Sequence, residues 1–271
     1  FLFEVPIFKA QTAYPDVTFI LIDGNPNDGA QPAAAYKTEK NAVGVVYAEE
    51  QPGFLAGYAA VKEGYTKLGF LGGMAVPAVV RYGYGYLQGA EYAAKELGLA
   101  DGSVTVNYHY TGGFEATPEA QTLAASWYQQ GVEVIFGCGG SVGNSAMAAA
   151  ATAGGKTIGV DVDQSGESDT VITSAMKNLS GAVDKLLGQF YDGTFPGGEA
   201  LIYSAADGLV GLPMESSKFE KFTQADYDAI CEKLKTDADG VASSIIKDVD
   251  ASGNPVEPSG LPLTKVVVTV V

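Results

Sequence analysis

The sequence predicts an α/β protein built from parallel sheets with crossover helices, and three features of its 271 residues carry that prediction. Short apolar runs alternate with longer helical segments through most of the chain, the pattern of βαβ units. The runs lack strict apolar–polar alternation, as expected of strands covered on both faces. Glycine is abundant, at 35 residues, which suits a fold in which many strand ends turn sharply into helices. The length and the 46% apolar content allow two ordinary domains or one large one.

The elements follow in order. FLFEVPIFKAQ at the start reads as a strand end running into a helix. VTFILID (17–23) is a core strand closed by Asp23, and AVGVVYAEE (42–50) is a second, followed by the helix PGFLAGYAAVKEG. KLGFLGG (67–73) is a third strand, and YGYLQGAEYAAKELG (84–98) is an amphipathic helix stopped by Gly98. The strand VTVNYHY (104–110), the helix PEAQTLAASWYQQG (118–131) and the strand VEVIFG (132–137) come next. A glycine-rich turn then leads into the helix NSAMAAAATAGG and the strand TIGVDVD. Beyond VITSAMK (171–177), LSGAVDKLLGQFYDG reads as a helix and EALIYSAADGLVGLP as strand-like and turn-rich. TQADYDAICEKLKTDA is a surface helix capped by Thr223. The polar, Pro/Gly-rich stretch 248–262 is a loop, and LTKVVVTVV (263–271) is either a last edge strand or a tail.

Composition removes several function classes. The formal charge is −16, from 16 Lys+Arg against 32 Asp+Glu, and no Lys/Arg-rich run is present, which argues against nucleic acid as a partner. Cys138 and Cys231 match no zinc spacing. Cys138 follows an apolar run and reads as a buried thiol rather than half of a Cys138–Cys231 disulfide. No stretch approaches the roughly 20 apolar residues of a membrane span, and no signal-like segment is seen. The true N-terminus and any export signal are expected to lie upstream.

Ligands of open parallel sheets bind beyond the carboxyl ends of the strands, so the residues there are the site candidates. Asp23 follows FILI. Gly112, Gly113 and Phe114 follow VNYHY, Cys138, Gly139 and Gly140 follow VEVIFG, and Asp161 and Asp163 follow TIGV. Carboxylates closing a core strand are costly to bury unless something hydrogen-bonds them. They accept from paired hydroxyls, an aromatic ring stacks on a π-face, and glycines let backbone amides approach closely. Together these suit a sugar bearing a flat base. Each candidate also has an ordinary structural alternative: a turn or helix cap for the aspartates, core packing for Phe114, turn geometry for the glycines, and helix-start packing for YGYGY (82–86).

A second motif points to a different class. GGSVG (139–143) satisfies the nucleophile-elbow pattern between a strand and a helix. A serine hydrolase using Ser141 needs a base after it in that fold's chain order, and the single histidine, His109, precedes it. The turn lacks the lysine of a phosphate loop, and no His/Cys set for a metal exists.

The stretches AEEQPGFLAGYAA, KLGFLGGMAVPAVVRYGYGYLQGAEYAA, YTGGFEATPEA, FGCGGSVGNSAM, GVDVDQ and VITSAMKNL resemble, in order, the basic-membrane-protein family. These are substrate-binding lipoproteins of ABC transporters, including purine-nucleoside receptors, and the resemblance runs from residue 1 to about 215. It implies the type I periplasmic-binding-protein fold, two Rossmann-like lobes joined by a hinge and closing over a ligand. Lobe one is expected over 1–66 and 177–215, and lobe two over 67–176 and 216–271. The resemblance further implies that Phe114 stacks on the purine, Asp161 holds the ribose hydroxyls, Gly139 and Gly140 form a backbone wall beside the base, and Lys177 is a basic residue near the site. Asp23 is the lobe-one contact, while Asp163 and Gln164 shape the turn.

Departures from the family pattern accompany these matches. The family begins with a further strand–helix–strand region, so lobe one is expected to be incomplete in this sequence. A polar residue often stands in the place of Ala75. Neither cysteine can serve as the lipid-bearing one. The expectation is an extracytoplasmic solute-binding protein for purine nucleosides, lipid-anchored or periplasmic. A monomer with a membrane permease as partner, no enzymatic activity and no cofactor are expected with it. The alternatives are a binder or sensor of another sugar-like solute, or the Ser141 hydrolase.

Overall fold

A computed structural model of the chain describes residues 2–31, 33–249 and 254–271. The chain divides into two compact units, residues 1–48 with 178–209, and residues 49–177 with 210–271.

The smaller unit contains α1 (Glu4–Ala13), β1 (Phe19–Ile22), β2 (Ala42–Tyr47), α6 (Leu179–Tyr191) and β8 (Ala200–Tyr203). Its three strands form a parallel sheet in the order β1-β2-β8. The long link between β1 and β2 is pinned by polar side chains. Buried Gln11 donates to the Lys37 carbonyl at 2.8 Å and accepts from the Glu39 amide at 2.9 Å. The Asn41 amide donates to three carbonyls around the end of α1.

The larger unit is the α/β sandwich expected from the strand–helix alternation. Its elements are α2 (Glu50–Glu63), β3 (Lys67–Gly72), α3 (Pro77–Glu96), β4 (Val104–Tyr110), α4 (Pro118–Gln129), β5 (Val134–Cys138), α5 (Val142–Ala153), β6 (Lys156–Asp161), β7 (Val171–Lys177), β9 (Val210–Gly211), α7 (Gln224–Thr236) and β10 (Val266–Val270). The sheet order is β10-β4-β3-β5-β6-β7-β9, with every pairing parallel except β7–β9. Successive strand residues face opposite sides, and both sides are covered. Leu71 and Ile135 pack with Ala124, Trp127, Ala146 and Ala150 of α4 and α5. On the other face Phe70 stacks on Tyr108 at 4.5 Å between ring centres, and Phe136 lies edge-on to Phe70, Tyr82 and Tyr86.

Two expectations about elements are amended. The helix read over 84–98 begins earlier, at Pro77, where a proline suits the first helical position because its missing N–H would have no partner there. The 263–271 stretch is an edge strand, β10, laid parallel to β4. Thr223 caps α7 as expected, in a capping box with Asp226. Of the loop expected over 248–262, residues 250–253 lie outside the described residues.

The unit boundary also differs from the expected one. The sequence places residues 49–66 in lobe one, but α2 belongs to the larger unit, as do Lys177 and residues 210–215. The cause is close helix packing. A Cβ at Gly53 or Gly57 would meet the carbonyl of Tyr82 or Tyr86 at 2.2 or 2.0 Å, and one at Gly85 or Gly89 would meet that of Glu50 or Phe54 at 2.0 or 1.9 Å. Two G-x-x-x-G stretches, one on α2 and one on α3, therefore pack backbone to backbone. Gly57→Ala is expected to destabilise the protein by about 1–3 kcal/mol or more, because overpacking forces the helices apart. A lowered urea midpoint with unchanged slope checks it.

Buried carboxylates hold the connecting segments. Glu63 accepts the amides of Glu220, Lys221 and Phe222, each at 2.9 Å. Glu91 accepts those of Thr264, Lys265 and Val266 and pairs with Lys95 at 3.0 Å. Burial of Glu91 opposes its charge, yet the Lys95 pair and the Thr264 and Lys265 hydrogen bonds outweigh this and lower its pKa to about 2. A depressed carboxylate pKa gives stability that is present above the unfolded value and lost as the pH falls towards the folded one. Glu91→Gln is therefore expected to flatten the loss of stability between about pH 4.5 and 2, as read by denaturant titrations at stepped pH.

Candidate functional site

Because β3 to β7 of the larger sheet run parallel, their carboxyl ends lie along one edge. Gly72 ends β3, Cys138 ends β5, Asp161 ends β6 and Lys177 ends β7. The structure brings Phe114, Gly139, Gly140, Asp161 and Lys177 to this edge of one unit. Asp23 follows β1 of the smaller unit.

Backbone conformation aims the carboxylate. Asp161 has φ 65°, a left-handed value uncommon outside glycine but tolerated by Asp and Asn. Asp23 has the same feature, at φ 58°. Such residues cost of order 1–3 kcal/mol and cluster at functional sites. Asp161 Oδ1 accepts from the Tyr82 hydroxyl at 3.2 Å and lies 3.1 Å from Lys177 Nζ. The ammonium group also sits 5.7 Å from the Tyr82 ring centre. The Lys177 side chain is 3% exposed and that of Asp161 is 42% exposed. Oδ1 is thus held from within, on a carboxylate side chain that remains partly exposed.

The glycine wall is a backbone feature. Gly139 has φ 138° and Gly140 has φ 54°, values that favour glycine at both positions. A Cβ on Gly73 would meet the Phe114 ring at 2.7 Å, one on Gly139 at 3.3 Å, and one on Gly140 the Phe114 Cβ at 3.2 Å. The half-buried Phe114 ring thus rests on bare backbone, and its carbonyl accepts the Ser141 amide at 2.8 Å. The Gly73 amide donates to Cys138 O at 2.8 Å, which ties the ends of β3 and β5 together.

The neighbouring polar residues shape the turn after β6. Asp163 accepts from the Ser216 hydroxyl at 2.6 Å and the Ser165 amide at 3.0 Å. Buried Gln164 accepts the Val160 amide at 2.8 Å, and its own amide donates to Ser174 Oγ at 3.0 Å.

Cys138 and Cys231 are both free and buried. Burial pushes the Cys138 thiol well above its usual pKa, and the Asp161 charge adds to this against the opposing effect of Lys177. That is the setting of an inert thiol. Ser141 stands at the start of α5, and its side chain makes no capping hydrogen bond. His109 Nδ1 is bonded to the Val271 carbonyl at the β10 side of β4, with β3 lying between β4 and β5. The nucleophile-elbow motif therefore has no imidazole placed to serve it.

Tyr82 is the site residue that sequence reasoning set aside. YGYGY reads equally as helix-start packing, and Tyr82 does pack on Phe136. Only the fold shows that its hydroxyl reaches Asp161, far away in sequence.

The parallel strands, with Asp161, the glycines and Phe114 gathered at their carboxyl edge, belong to a periplasmic-binding-protein-like α/β fold. Residues 4–242 match the family model described as "ABC transporter substrate-binding protein PnrA-like", and the chain belongs to that family. It is 28% identical over 242 residues to an "ABC transporter nucleoside-binding protein BmpA" of Lactococcus lactis, covering 82% of this chain and 62% of the relative. It is 32% identical over 212 residues to "Basic membrane protein B" of Borreliella burgdorferi, covering 76% of this chain and 58% of the relative. The chain thus spans about three fifths of the length of these curated relatives. Among solved structures, an ABC transporter solute-binding protein from Aeropyrum pernix superposes with TM-score 0.64 at 24% identity, covering 91% of this chain and 69% of that one. One from Conexibacter woesei gives 0.67 at 24% identity, covering 87% and 74%. These two likenesses support the fold.

Proposed function

We propose that the chain binds purine nucleosides for an ABC transporter, and that the carboxyl edge of the larger sheet is where its larger unit contacts them. The observation that carries the reading is Asp161. It is a strand-end carboxylate in a left-handed conformation, with Oδ1 held by Tyr82 and Lys177 on a side chain that is 42% exposed. A carboxylate oxygen so placed accepts from sugar hydroxyls. Phe114 on its glycine wall supplies the π-face for the base, and Gly139 and Gly140 flank it. Lys177 balances the Asp161 charge. Asp23, left-handed like Asp161, is a candidate acceptor in the smaller unit.

The family description and the nucleoside-binding relative agree with this reading. In it the protein acts outside the cytoplasm, lipid-anchored or periplasmic, as a non-enzymatic monomer that delivers solute to a membrane permease. Among the described residues no helix is long and apolar enough to cross a membrane. Mass spectrometry of small molecules released from the denatured, purified chain tests the ligand class. A nucleoside recovered in near-stoichiometric amount is the expected result, and a solute without a base would contradict it.

A further inference from the structure

Arg81, Tyr84, Gln88 and Glu91 are spaced three, four and three residues apart on α3, so they share one face of the helix. All four hold the C-terminal segment that lies beyond the family match, which ends at residue 242. Arg81 Nη2 donates to Asp248 Oδ2 at 3.2 Å. The Tyr84 hydroxyl donates to the Val256 carbonyl. The Gln88 side chain accepts the Ile246 amide at 2.9 Å and donates to its carbonyl at 2.7 Å. Glu91 takes the amides of Thr264, Lys265 and Val266. The helix face is thus a continuous polar track for residues that the family pattern does not include.

The track starts beside the candidate site. Arg81 directly precedes Tyr82, whose hydroxyl bonds Asp161. Arg81 Nη1 also lies 3.4 Å from Glu49 Oε2, on a side chain only 3% exposed. Its Nε is buried and has no hydrogen-bond partner among the described residues. The guanidinium is therefore oriented by two carboxylates, Glu49 at the N-cap of α2 and Asp248 on the C-terminal segment. Pairing offsets the cost of half-burying the cation, and the two acceptors together fix the direction of its planar fork.

We infer that Asp248 is a positioning residue: by pairing with Arg81 it fixes the first turns of α3, and with them the Tyr82 hydroxyl that holds Asp161 Oδ1. Where it concerns ligand, this inference rests on the nucleoside reading above.

The test is Asp248→Asn in the full chain, with Asp101→Asn as the control. Asp101 anchors the same C-terminal segment through Lys265 at 2.7 Å, but beyond the other end of α3. Hydrogen exchange is expected to speed up about three- to tenfold around Tyr82 and Asp161 in Asp248→Asn, and to be unchanged there in Asp101→Asn. In calorimetric titration Asp248→Asn is expected to weaken guanosine about three- to tenfold while leaving guanine unaffected, with Asp248→Glu restoring guanosine binding. Unchanged exchange at Tyr82 and Asp161, or equal changes in the two Asn variants, would overturn the inference. Equal losses for guanosine and guanine would reduce Asp248 to a general structural role and overturn it too. If the unaltered chain bound neither compound, the functional reading would fail, and the exchange comparison would still decide the role of Asp248.

Discussion

Asp161→Asn is expected to weaken guanosine binding by about 1.5–3 kcal/mol, the worth of a hydrogen bond to a charged group. That is roughly a ten- to hundredfold rise in Kd. The substitution exchanges a charged acceptor for a neutral amide and removes the ion pair with Lys177, whose ammonium lies 3.1 Å away on a nearly buried side chain. The loss should be largest for ribonucleosides and smaller for 2′-deoxyguanosine, which offers one hydroxyl fewer. It should be near zero for guanine, which has no sugar. Calorimetric titration of the three compounds against the variant reads the series directly. Equal losses for all three would make the carboxylate a structural residue of the β6 turn. Thermal unfolding of the variant separates the two cases, because a structural role would lower Tm without grading the ligands.

The second large effect belongs to Phe114. Phe114→Ala should weaken guanosine, deoxyguanosine and guanine alike, by the roughly 1–3 kcal/mol that base–aromatic stacking is worth. The uniformity of the loss distinguishes this site from Asp161. The Phe114 ring also rests against Gly73 and Gly139, so removing it leaves a void over bare backbone. Phe114→Leu controls for that, since it refills much of the space with an apolar side chain that has no π-face. It should regain stability and only a small part of the binding. Full recovery of binding with leucine would mean that the ring contributes bulk and not stacking.

The local signals in the chain went a long way. Strand–helix alternation predicted the parallel sheet, and the apolar runs 67–73, 104–110, 132–137 and 157–161 lie together in it. The strand ends that gather at one edge could be named beforehand because side-chain chemistry there is local: an Asp after TIGV, glycines after VIFG, an aromatic ring after VNYHY. The resemblance to the basic-membrane-protein family is matched by a family model covering most of the chain.

What escaped the sequence depends on contacts between distant residues. The helix α2 follows β2 of the smaller unit, and chain order alone suggests that it stays there. It belongs to the larger unit because Gly53 and Gly57 meet the carbonyls of α3, and neither half of that fit is legible without the other. The helix read from residue 84 starts at Pro77, so PAVVR and YGYGY belong to the first part of α3. VITSAMK carries a serine and a threonine between its apolar residues and gave no clear strand signal. In the fold Ser174 and Thr173 are buried and bonded to Gln164 and Ser217, so their polarity is satisfied inside the sheet. Tyr82 escaped for the same reason, since an aromatic at a helix start is ordinary packing until its hydroxyl is seen on Asp161.

The central claim is that a nucleoside lies at the carboxyl edge of the larger sheet, with its sugar on Asp161 and its base on Phe114. A crystal structure of the full chain grown with guanosine tests it most directly. A ribose hydroxyl within hydrogen-bond distance of the Asp161 carboxylate and a purine ring parallel to the Phe114 ring are the expected result. Guanosine bound elsewhere, or bound at this edge with its sugar turned away from Asp161, would contradict it.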